Sequence, residues 1–124
     1  MSEIIGKGKV YIVEDDESFA ALIKTILASH NNQVVGEAFW AFAAIAEIDN
    51  FEQLGVNIIT LDRDLRNADM ATNEFVSKVR TDYPNIKIVG MSCCAMPKGL
   101  VNVDLGKGNV TLLNNVINGL LWDS

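Results

Sequence analysis

The stretch "IITLDRDLRN", residues 58–67, joins a continuous apolar segment to a cluster of charged side chains. Three β-branched residues and a leucine lead directly into Asp62, and Arg63, Asp64 and Arg66 follow. A short apolar run that ends in charged residues is typical of a buried strand whose carboxyl end reaches solvent. Two interpretations remain open at this point: chemistry held at a strand end, or a solvated turn that leads into a helix.

The rest of the chain alternates between strand-like and helix-like segments. The apolar, β-rich segments are residues 9–13, 33–38, 56–61, 86–91 and 101–105. Apolar residues spaced by three and four positions predict helices that contain residues 19–27, 42–46, 75–79 and 113–121. Strands without polar alternation, separated by helices, predict a five-stranded parallel sheet covered on both faces, which is a doubly wound α/β fold.

Composition narrows the class of protein. The chain has 124 residues and a formal net charge of −6, with a sequence pI of about 4.6. This length favours one domain over residues 1–124, and the acidic charge argues against nucleic acid as a partner. No apolar stretch approaches the roughly 18 residues of a membrane helix, and no signal peptide is evident. We therefore expect a cytoplasmic protein without a membrane partner. We also expect Trp40 and Trp122 to be packing residues.

Polar and charged residues follow four of the predicted strands. Glu14 and Asp15 come after the first strand, Asp62 after the third, Ser92 after the fourth and Lys107 after the fifth. In a doubly wound sheet these strand ends meet where ligands bind. Crowded carboxylates repel one another unless a cation neutralises them, and Mg²⁺ prefers oxygen ligands and accepts a phosphate oxygen. Taken singly, each residue also fits a helix cap, a turn or a solvated loop, but together they predict a site that phosphorylates a carboxylate.

Four segments carry a resemblance to a known family. They are "VYIVEDDESF", "IITLDRDL", "IVGMSC" and "DLGKGN", and they resemble the receiver domain of bacterial two-component response regulators over about residues 9–121. The resemblance implies a flavodoxin-like, receiver-type fold with Mg²⁺ as cofactor. It further implies that Glu14, Asp15 and Asp62 bind the metal through their side chains, and that Asp64 binds it through its backbone carbonyl.

The same resemblance implies a phosphorylation chemistry. Asp62 maps onto the phosphoacceptor, Ser92 onto the switch hydroxyl and Lys107 onto the lysine that contacts the phosphoryl group. A histidine kinase or phosphotransfer protein would be the donor. We therefore expect a stand-alone receiver that signals by protein–protein contact and has no output domain. It would be no enzyme beyond its own phosphorylation and dephosphorylation.

The sequence departs from the family between Ser92 and Lys107. Only 14 residues separate them, which leaves roughly nine for the crossover, below the 10–12 or more that a helical crossover needs. We therefore expect a loop or a single turn in place of the family's fourth helix. The family's aromatic residue three positions before the lysine is Asp104 here. Without a full helix over strands four and five, apolar surface of the sheet would be exposed. We therefore expect a downstream target or a second copy to dock on the face of strands four and five and helix five.

Departures also surround the acceptor. The family's proline and glycine after the acceptor are Arg66 and Met70 here, and Asp64 is a rare choice at a position that sets the lifetime of the phosphoryl group. We assign modulatory roles to Asp64 and to Cys94. Cys93 and Cys94 are adjacent, which disfavours a disulfide between them, and they are expected to be reduced, half-buried thiols. Arg63 and Arg66 fit a solvated loop.

The sequence also admits two alternative functions. In a pseudo-receiver, the fold would be a phosphorylation-independent binding or dimerisation module. The intact site disfavours this interpretation, whereas the missing helix and the missing aromatic favour it. In a haloacid-dehalogenase-like phosphatase, Asp62 would be the nucleophile and Asp64 the general acid. Only 62 residues follow Asp62, and Glu14 and Asp15 would have no role, so the phosphatase is disfavoured.

Overall fold

The structure is a computed structural model that describes residues 7–62, 68–93 and 95–122. The strands are β1 (Lys9–Val13), β2 (Gln33–Ala38), β3 (Ile58–Leu61), β4 (Lys87–Gly90) and β5 (Val103–Asp104). The helices are α1 (Glu17–Ser29), α2 (Ala41–Glu47), α3 (Phe51–Leu54), α4 (Ala68–Asp82) and α5 (Leu113–Trp122). Short 3₁₀ segments at Ile48–Asn50 and Lys107–Leu112 lead into α3 and α5.

The five strands form one sheet in the order β2-β1-β3-β4-β5, and every neighbouring pair is parallel. The predicted doubly wound α/β fold is therefore confirmed. Val13 pairs with Leu61, Leu61 with Gly90, and Gly90 with Asp104. Because these pairs lie level across the sheet, the residues that follow the strands emerge side by side at one edge.

Alternation along the strands divides the core into two layers. Tyr11 and Val13 face one layer, which also contains buried side chains of α2, α3 and α4. Val10 and Ile12 face the other layer, which contains buried side chains of α1 and α5. A strand with apolar side chains on both faces requires helices on both faces, which explains why the strand-like segments have no polar alternation.

The connection from β4 to β5 contains no helix in the residues that the structure describes between them, 91–93 and 95–102. The prediction that a loop replaces the helical crossover is confirmed. Three hydrogen bonds that involve side chains help to hold this crossover: Arg80 Nη2 donates to the Leu100 carbonyl, Met96 N–H to Asp104 Oδ2, and Ile88 N–H to Asn102 Oδ1. Polar side chains thus hold a segment that a packed helix would otherwise hold.

The fifth strand is shorter than predicted, Val103–Asp104 instead of residues 101–105. The Asn102 amide donates to the Ile88 carbonyl at 2.9 Å, but the Ile88 amide donates to the side chain of Asn102, and regular strand pairing begins at Val103. At the other end, the amides of Leu105 and Gly106 both donate to the Gly90 carbonyl, 3.0 Å away in each case. The chain therefore leaves the sheet immediately after Asp104.

None of the helices in the described part of the chain has the length and apolar character needed to cross a membrane.

Candidate functional site

Three carboxylates converge at the carboxyl edge of the sheet. Glu14 directly follows β1 and Asp62 directly follows β3, and the Asp62 amide donates to the Val13 carbonyl at 3.0 Å. Glu14, Asp15 and Asp62 each offer a carboxylate oxygen, and these oxygens lie within 4.8 Å of one another. Glu14 and Asp62 are buried, whereas Asp15 is partly exposed. The predicted acidic cluster is therefore present in the structure.

A cation and a hydroxyl flank the Asp62 carboxylate. Lys107 Nζ lies 3.1 Å from Asp62 Oδ2 and 3.2 Å from Glu14 Oε2. Ser92 Oγ donates to Asp62 Oδ1 at 3.2 Å, and Ser92 is buried. The sequence-predicted Ser92 and Lys107 thus both contact the predicted acceptor, one at each of its two oxygens.

Local backbone features place Lys107. Gly106 has a φ of +82°, a conformation that favours glycine, and this turn directs the chain out of β5 into the 3₁₀ segment that begins at Lys107. The Lys107 amide donates to the Ser92 carbonyl at 3.1 Å, so the two predicted site residues are joined through the backbone as well. The Lys107 ammonium also lies 4.9 Å from the centroid of the Phe19 ring, which gives a cation–π contact.

The acidic run after β1 divides into two roles. Asp16 caps α1, because its Oδ1 accepts from the amides of Ser18 and Phe19 at 2.9 and 3.1 Å. The Asp16 amide in turn donates to Glu14 Oε2 at 3.1 Å. The helix-cap interpretation of residues 15–17 therefore holds for Asp16, whereas the carboxylate of Asp15 lies in the acidic cluster.

Burial and charge act strongly on these groups. Burial raises the pKa of the Glu14 carboxyl to about 8, and the neighbouring Asp62 carboxylate contributes to the rise, whereas the Asp16 amide and Lys107 oppose it. Burial by itself lowers the pKa of Lys107, but the hydrogen bond and charge of Asp62, together with Glu14, outweigh it and hold that pKa above its ordinary value. The site is therefore a cationic lysine beside crowded carboxylates, one of which resists ionisation.

The donor set fits a hard divalent cation. Glu14 Oε1 is buried and has no hydrogen-bond partner among the described residues, although a buried carboxylate oxygen normally has one. Three carboxylates within 4.8 Å supply oxygen-only ligands of the kind that Mg²⁺ binds. A cation at this position would coordinate the oxygen that lacks a partner and would favour the ionised form of Glu14, which burial and the neighbouring Asp62 disfavour.

Several predicted residues lie outside the described part of the chain. These are Arg63, Asp64, Arg66 and Cys94, so the metal-binding carbonyl of Asp64 and the modulatory roles of Asp64 and Cys94 stay predictions. Cys93 is exposed, and the expectation that it is half-buried is wrong. It directly follows the buried Ser92 and points outward where the chain leaves the sheet edge.

The apolar surface predicted over β4 and β5 is not found in the described residues, whereas docking on the wider face that includes α5 stays a prediction. Met96 is 8% exposed and covers Gly90, and Leu100 and Val101 pack against the core layer of α2, α3 and α4. The exposed large apolar residues in the described part of the chain are Leu22, Phe39, Trp40, Phe42, Leu112 and Trp122, of which Trp122 lies in α5 and Leu112 directly precedes it. Trp40 and Trp122 are 43% and 67% exposed, so the prediction that they are packing residues is wrong.

Two contacts of the site were missed by sequence reasoning. Phe19 fits the core face of the first helix by spacing, but its ring also lies against Lys107. Asp104 stood out in the sequence only as a missing aromatic, but its carboxylate binds the Met96 amide. The position of Phe19 in the first turn after a strand end could have indicated the first contact. No sequence pattern indicates the second, because it joins a loop to a strand across an irregular crossover.

Comparison with known proteins supports this fold. No protein-family model matches the chain, and no curated protein matches it. A CheY-like response-regulator receiver domain from Methanospirillum hungatei is similar in structure, with a TM-score of 0.73 and 22% identity over 93% of this chain and 94% of that chain.

Two further solved structures are informative. The phosphorylated cyanobacterial phytochrome response regulator RcpA has a TM-score of 0.65 and 22% identity over 91% of this chain and 90% of that chain. The CheX–CheY–BeF₃–Mg²⁺ complex from Borrelia burgdorferi has a TM-score of 0.63 and 17% identity over 90% of this chain and 72% of that chain. This chain therefore has the fold of response-regulator receiver domains.

Proposed function

We propose that this protein is a receiver that accepts a phosphoryl group on Asp62 and signals by protein–protein contact. One observation carries the proposal: the Asp62 carboxylate forms an ion pair with a lysine ammonium at one oxygen and accepts a hydrogen bond from a serine hydroxyl at the other, beside two further carboxylates. A helix cap or a surface turn requires none of these partners. The resemblance of the sequence motifs and the receiver fold of the chain support the same function.

In the proposed transfer, a carboxylate oxygen of Asp62 attacks the phosphorus of a phosphohistidine donor. A phosphorus–oxygen bond forms, the phosphorus–nitrogen bond of the donor breaks, and its electron pair stays with the leaving imidazole. Lys107, which is already bonded to Asp62, is placed to offset charge on the transferred group, and Ser92 is placed to donate a hydrogen bond to it. Hydrolysis later returns the carboxylate and inorganic phosphate.

The proposed cofactor is Mg²⁺. Glu14, Asp15 and Asp62 would hold it, with the backbone carbonyl of Asp64 as a further ligand from the resemblance. The cation would neutralise the carboxylates and the incoming phosphoryl oxygens. The Borrelia complex contains Mg²⁺ and BeF₃, and RcpA was solved as a phosphorylated protein, so similar folds have been solved in both states. A histidine kinase or phosphotransfer protein is the proposed donor, and the cytoplasm the proposed compartment.

The direct test uses a small phosphodonor with Mg²⁺ and mass measurement of the intact protein. We expect one added phosphoryl mass in the wild type, none in Asp62→Asn and none in EDTA. Asp82→Asn is the matched control, because Asp82 is an exposed aspartate whose one described contact is a 3.8 Å pair with Lys78. An Asp62→Asn variant that still gains the mass would place the acceptor elsewhere and would overturn the assignment.

A pseudo-receiver is the second candidate, and the crossover favours it. The loop between β4 and β5 is fixed by polar bonds, and a carboxylate bonded to the Met96 amide stands at the position that the resemblance assigns to an aromatic residue. Such a module would bind its target equally well with and without phosphorylation. A wild-type protein that gains no phosphoryl mass with any donor, while it remains folded, would favour this candidate.

A further inference from the structure

Asp104 contacts the chain at two points of the crossover that follows β4. Gly90 pairs with Asp104 in the parallel sheet, and six residues later the Met96 amide donates to Asp104 Oδ2 at 2.9 Å. Gly90 and Met96 are therefore both held by Asp104, and the chain between them, of which residues 91–93 and 95 are described, forms a loop anchored at both ends. Ser92 lies within this closed loop. A hydrogen bond from a backbone amide to an ionised carboxylate is stronger than one between neutral groups, so the bond from Met96 to Asp104 is expected to hold the loop firmly.

Packing reinforces this closure. A Cβ atom at Gly90 would lie 3.0 Å from Met96 Cγ and 3.2 Å from Asp104 Oδ1. Met96 and the Asp104 carboxylate thus rest directly on the Gly90 backbone, where the absence of a side chain makes room for them. Met96 is only 8% exposed although it belongs to a loop, so the end of the loop is held by burial as well as by its hydrogen bond.

The closed loop fixes the position of the Ser92 hydroxyl. The carbonyl of Gly90 accepts from Leu105 and Gly106, and the carbonyl of Ser92 accepts from Lys107 at 3.1 Å. These bonds hold the first half of the loop against the chain that leaves β5, and Asp104 holds the second half. Between the two anchors, Ser92 Oγ reaches Asp62 Oδ1 at 3.2 Å.

We propose that Asp104 is a positioning residue for phosphoryl transfer, which holds the Ser92 hydroxyl toward the acceptor by closing the loop that carries it. This role rests on the proposed function of Asp62. Asp104 contributes through its hydrogen bond to Met96, and it has no contact with the reacting carboxylate among the described residues. The carboxylate at this position therefore has a structural purpose of its own in this chain.

The test is a double-mutant cycle between Asp104 and Ser92, read as the rate of phosphorylation by a small phosphodonor with Mg²⁺. We expect Asp104→Ala to slow phosphorylation about threefold to tenfold, less than the loss of a preorganised donor itself. In the Ser92→Ala background, where no hydroxyl remains to be positioned, the same substitution should change the rate less than about twofold. Asp82→Ala removes an exposed carboxylate from α4 and should leave the rate unchanged.

A second variant, Asp104→Asn, distinguishes loss of the hydrogen bond from a folding defect. The asparagine retains an acceptor oxygen for the Met96 amide, so it should recover most of the rate even if Asp104→Ala proves poorly folded. A wild-type rate in Asp104→Ala, or an equal slowing in the presence and absence of the Ser92 hydroxyl, would overturn the positioning role alone. A folded wild type that gains no phosphoryl mass would overturn the proposed function, and this role with it.

Discussion

Lys107 Nζ lies 3.1 Å from Asp62 Oδ2, and the side chains of the two residues are 18% and 1% exposed. The pair joins residues 45 positions apart in the sequence and also includes Glu14, 3.2 Å from the same nitrogen. It lies where parallel strands end, so it depends on the sheet and not on any local element. Because the Lys107 ammonium pairs with two buried carboxylates, its removal should lower both the stability of the protein and the rate of phosphorylation.

The first prediction concerns that cation. Lys107→Met should lower the free energy of unfolding of the metal-free protein by about 2 kcal/mol, because the buried carboxylates lose their charge partner. Phosphorylation should slow by about a hundredfold. Chemical denaturation in EDTA and phosphoryl mass gain measure the two effects.

Added Mg²⁺ should reduce the stability deficit of Lys107→Met, because a second cation can neutralise the same carboxylates. Lys24→Met is the matched control. Lys24 pairs with Glu37 on the surface, where both side chains are about two-fifths exposed, and such pairs contribute little. A deficit of the same size with and without Mg²⁺ would contradict a shared role for lysine and metal.

The second prediction concerns pH. The pKa of Glu14 is raised to about 8 from an ordinary value of 4.5, so the native state binds a proton that the unfolded state releases. Stability of the metal-free protein should therefore fall as pH rises from about 5 to about 8. Glu14→Gln, which cannot ionise, should remove most of this slope in thermal unfolding in EDTA. A flat wild-type profile over this range would show that Glu14 ionises normally.

Metal affinity should show the opposite trend. Binding of Mg²⁺ to Glu14 requires its ionised form, so a carboxyl with a pKa of about 8 should make the cation bind about fivefold more tightly at pH 8 than at pH 7. Titration calorimetry in two buffers of different ionisation enthalpy would also show release of close to one proton at pH 7. Equal affinity at both values would remove Glu14 from the ligand set.

A third prediction concerns the buried amides that join α1 to α5. Asn32 Nδ2 donates to Asn114 Oδ1 at 2.9 Å, and Asn114 Nδ2 donates to the Ile26 carbonyl at 2.7 Å. Both asparagines are 5% exposed. Asn114→Ala leaves buried groups without partners and should cost about 2 kcal/mol in urea unfolding. Asn115→Ala, at the exposed neighbouring position, should change stability by less than about 0.5 kcal/mol.

The fourth prediction contrasts two glycines. A Cβ at Gly36 would lie 2.8 Å from Tyr11 Cε2, and the Tyr11 ring is held by its hydrogen bond to Glu47 and by the Phe51 ring, 4.8 Å away. Gly36→Ala should therefore destabilise by about 1–3 kcal/mol. At Gly119, within α5, an added Cβ would meet no described atom within 4 Å apart from its chain neighbours and the backbone of its own helix, so Gly119→Ala should stabilise by about 0.5–1 kcal/mol. Melting temperatures that move in the same direction would contradict this interpretation.

Much of the fold was predictable because it depends on periodicity. Strands apolar on both faces and helices with one apolar face require the doubly wound arrangement. The carboxyl ends of the strands then lie at one edge of the sheet, independent of the length and conformation of the loops. Glu14, Asp62, Ser92 and Lys107 were predictable for that reason. The single-turn α3 was not, because four residues are too few to show a helical period.

Contacts that depend on irregular backbone could not be predicted from the sequence either. Leu22 lies on the apolar stripe of α1 by spacing, yet it is 43% exposed because no neighbouring element covers that part of the helix in the described chain. The bond between Asp104 and Met96 depends on a crossover with no repeating pattern. The assignment of Asp16 and not Asp15 as helix cap depended on where α1 begins, and a shift of one residue exchanges the two roles.

The brevity of β5 has a consequence for colloidal behaviour. A sheet edge with a long row of unpaired amides and carbonyls is a template on which a strand from another chain can add, and amyloid-like assembly begins at such edges. Here the outermost strand has two residues, one of them an exposed aspartate, and the chain turns away at Gly106. A strand from another chain would have little backbone at the β5 edge to pair with, and it would lie next to a negative charge. The β5 edge of the sheet therefore resists aggregation.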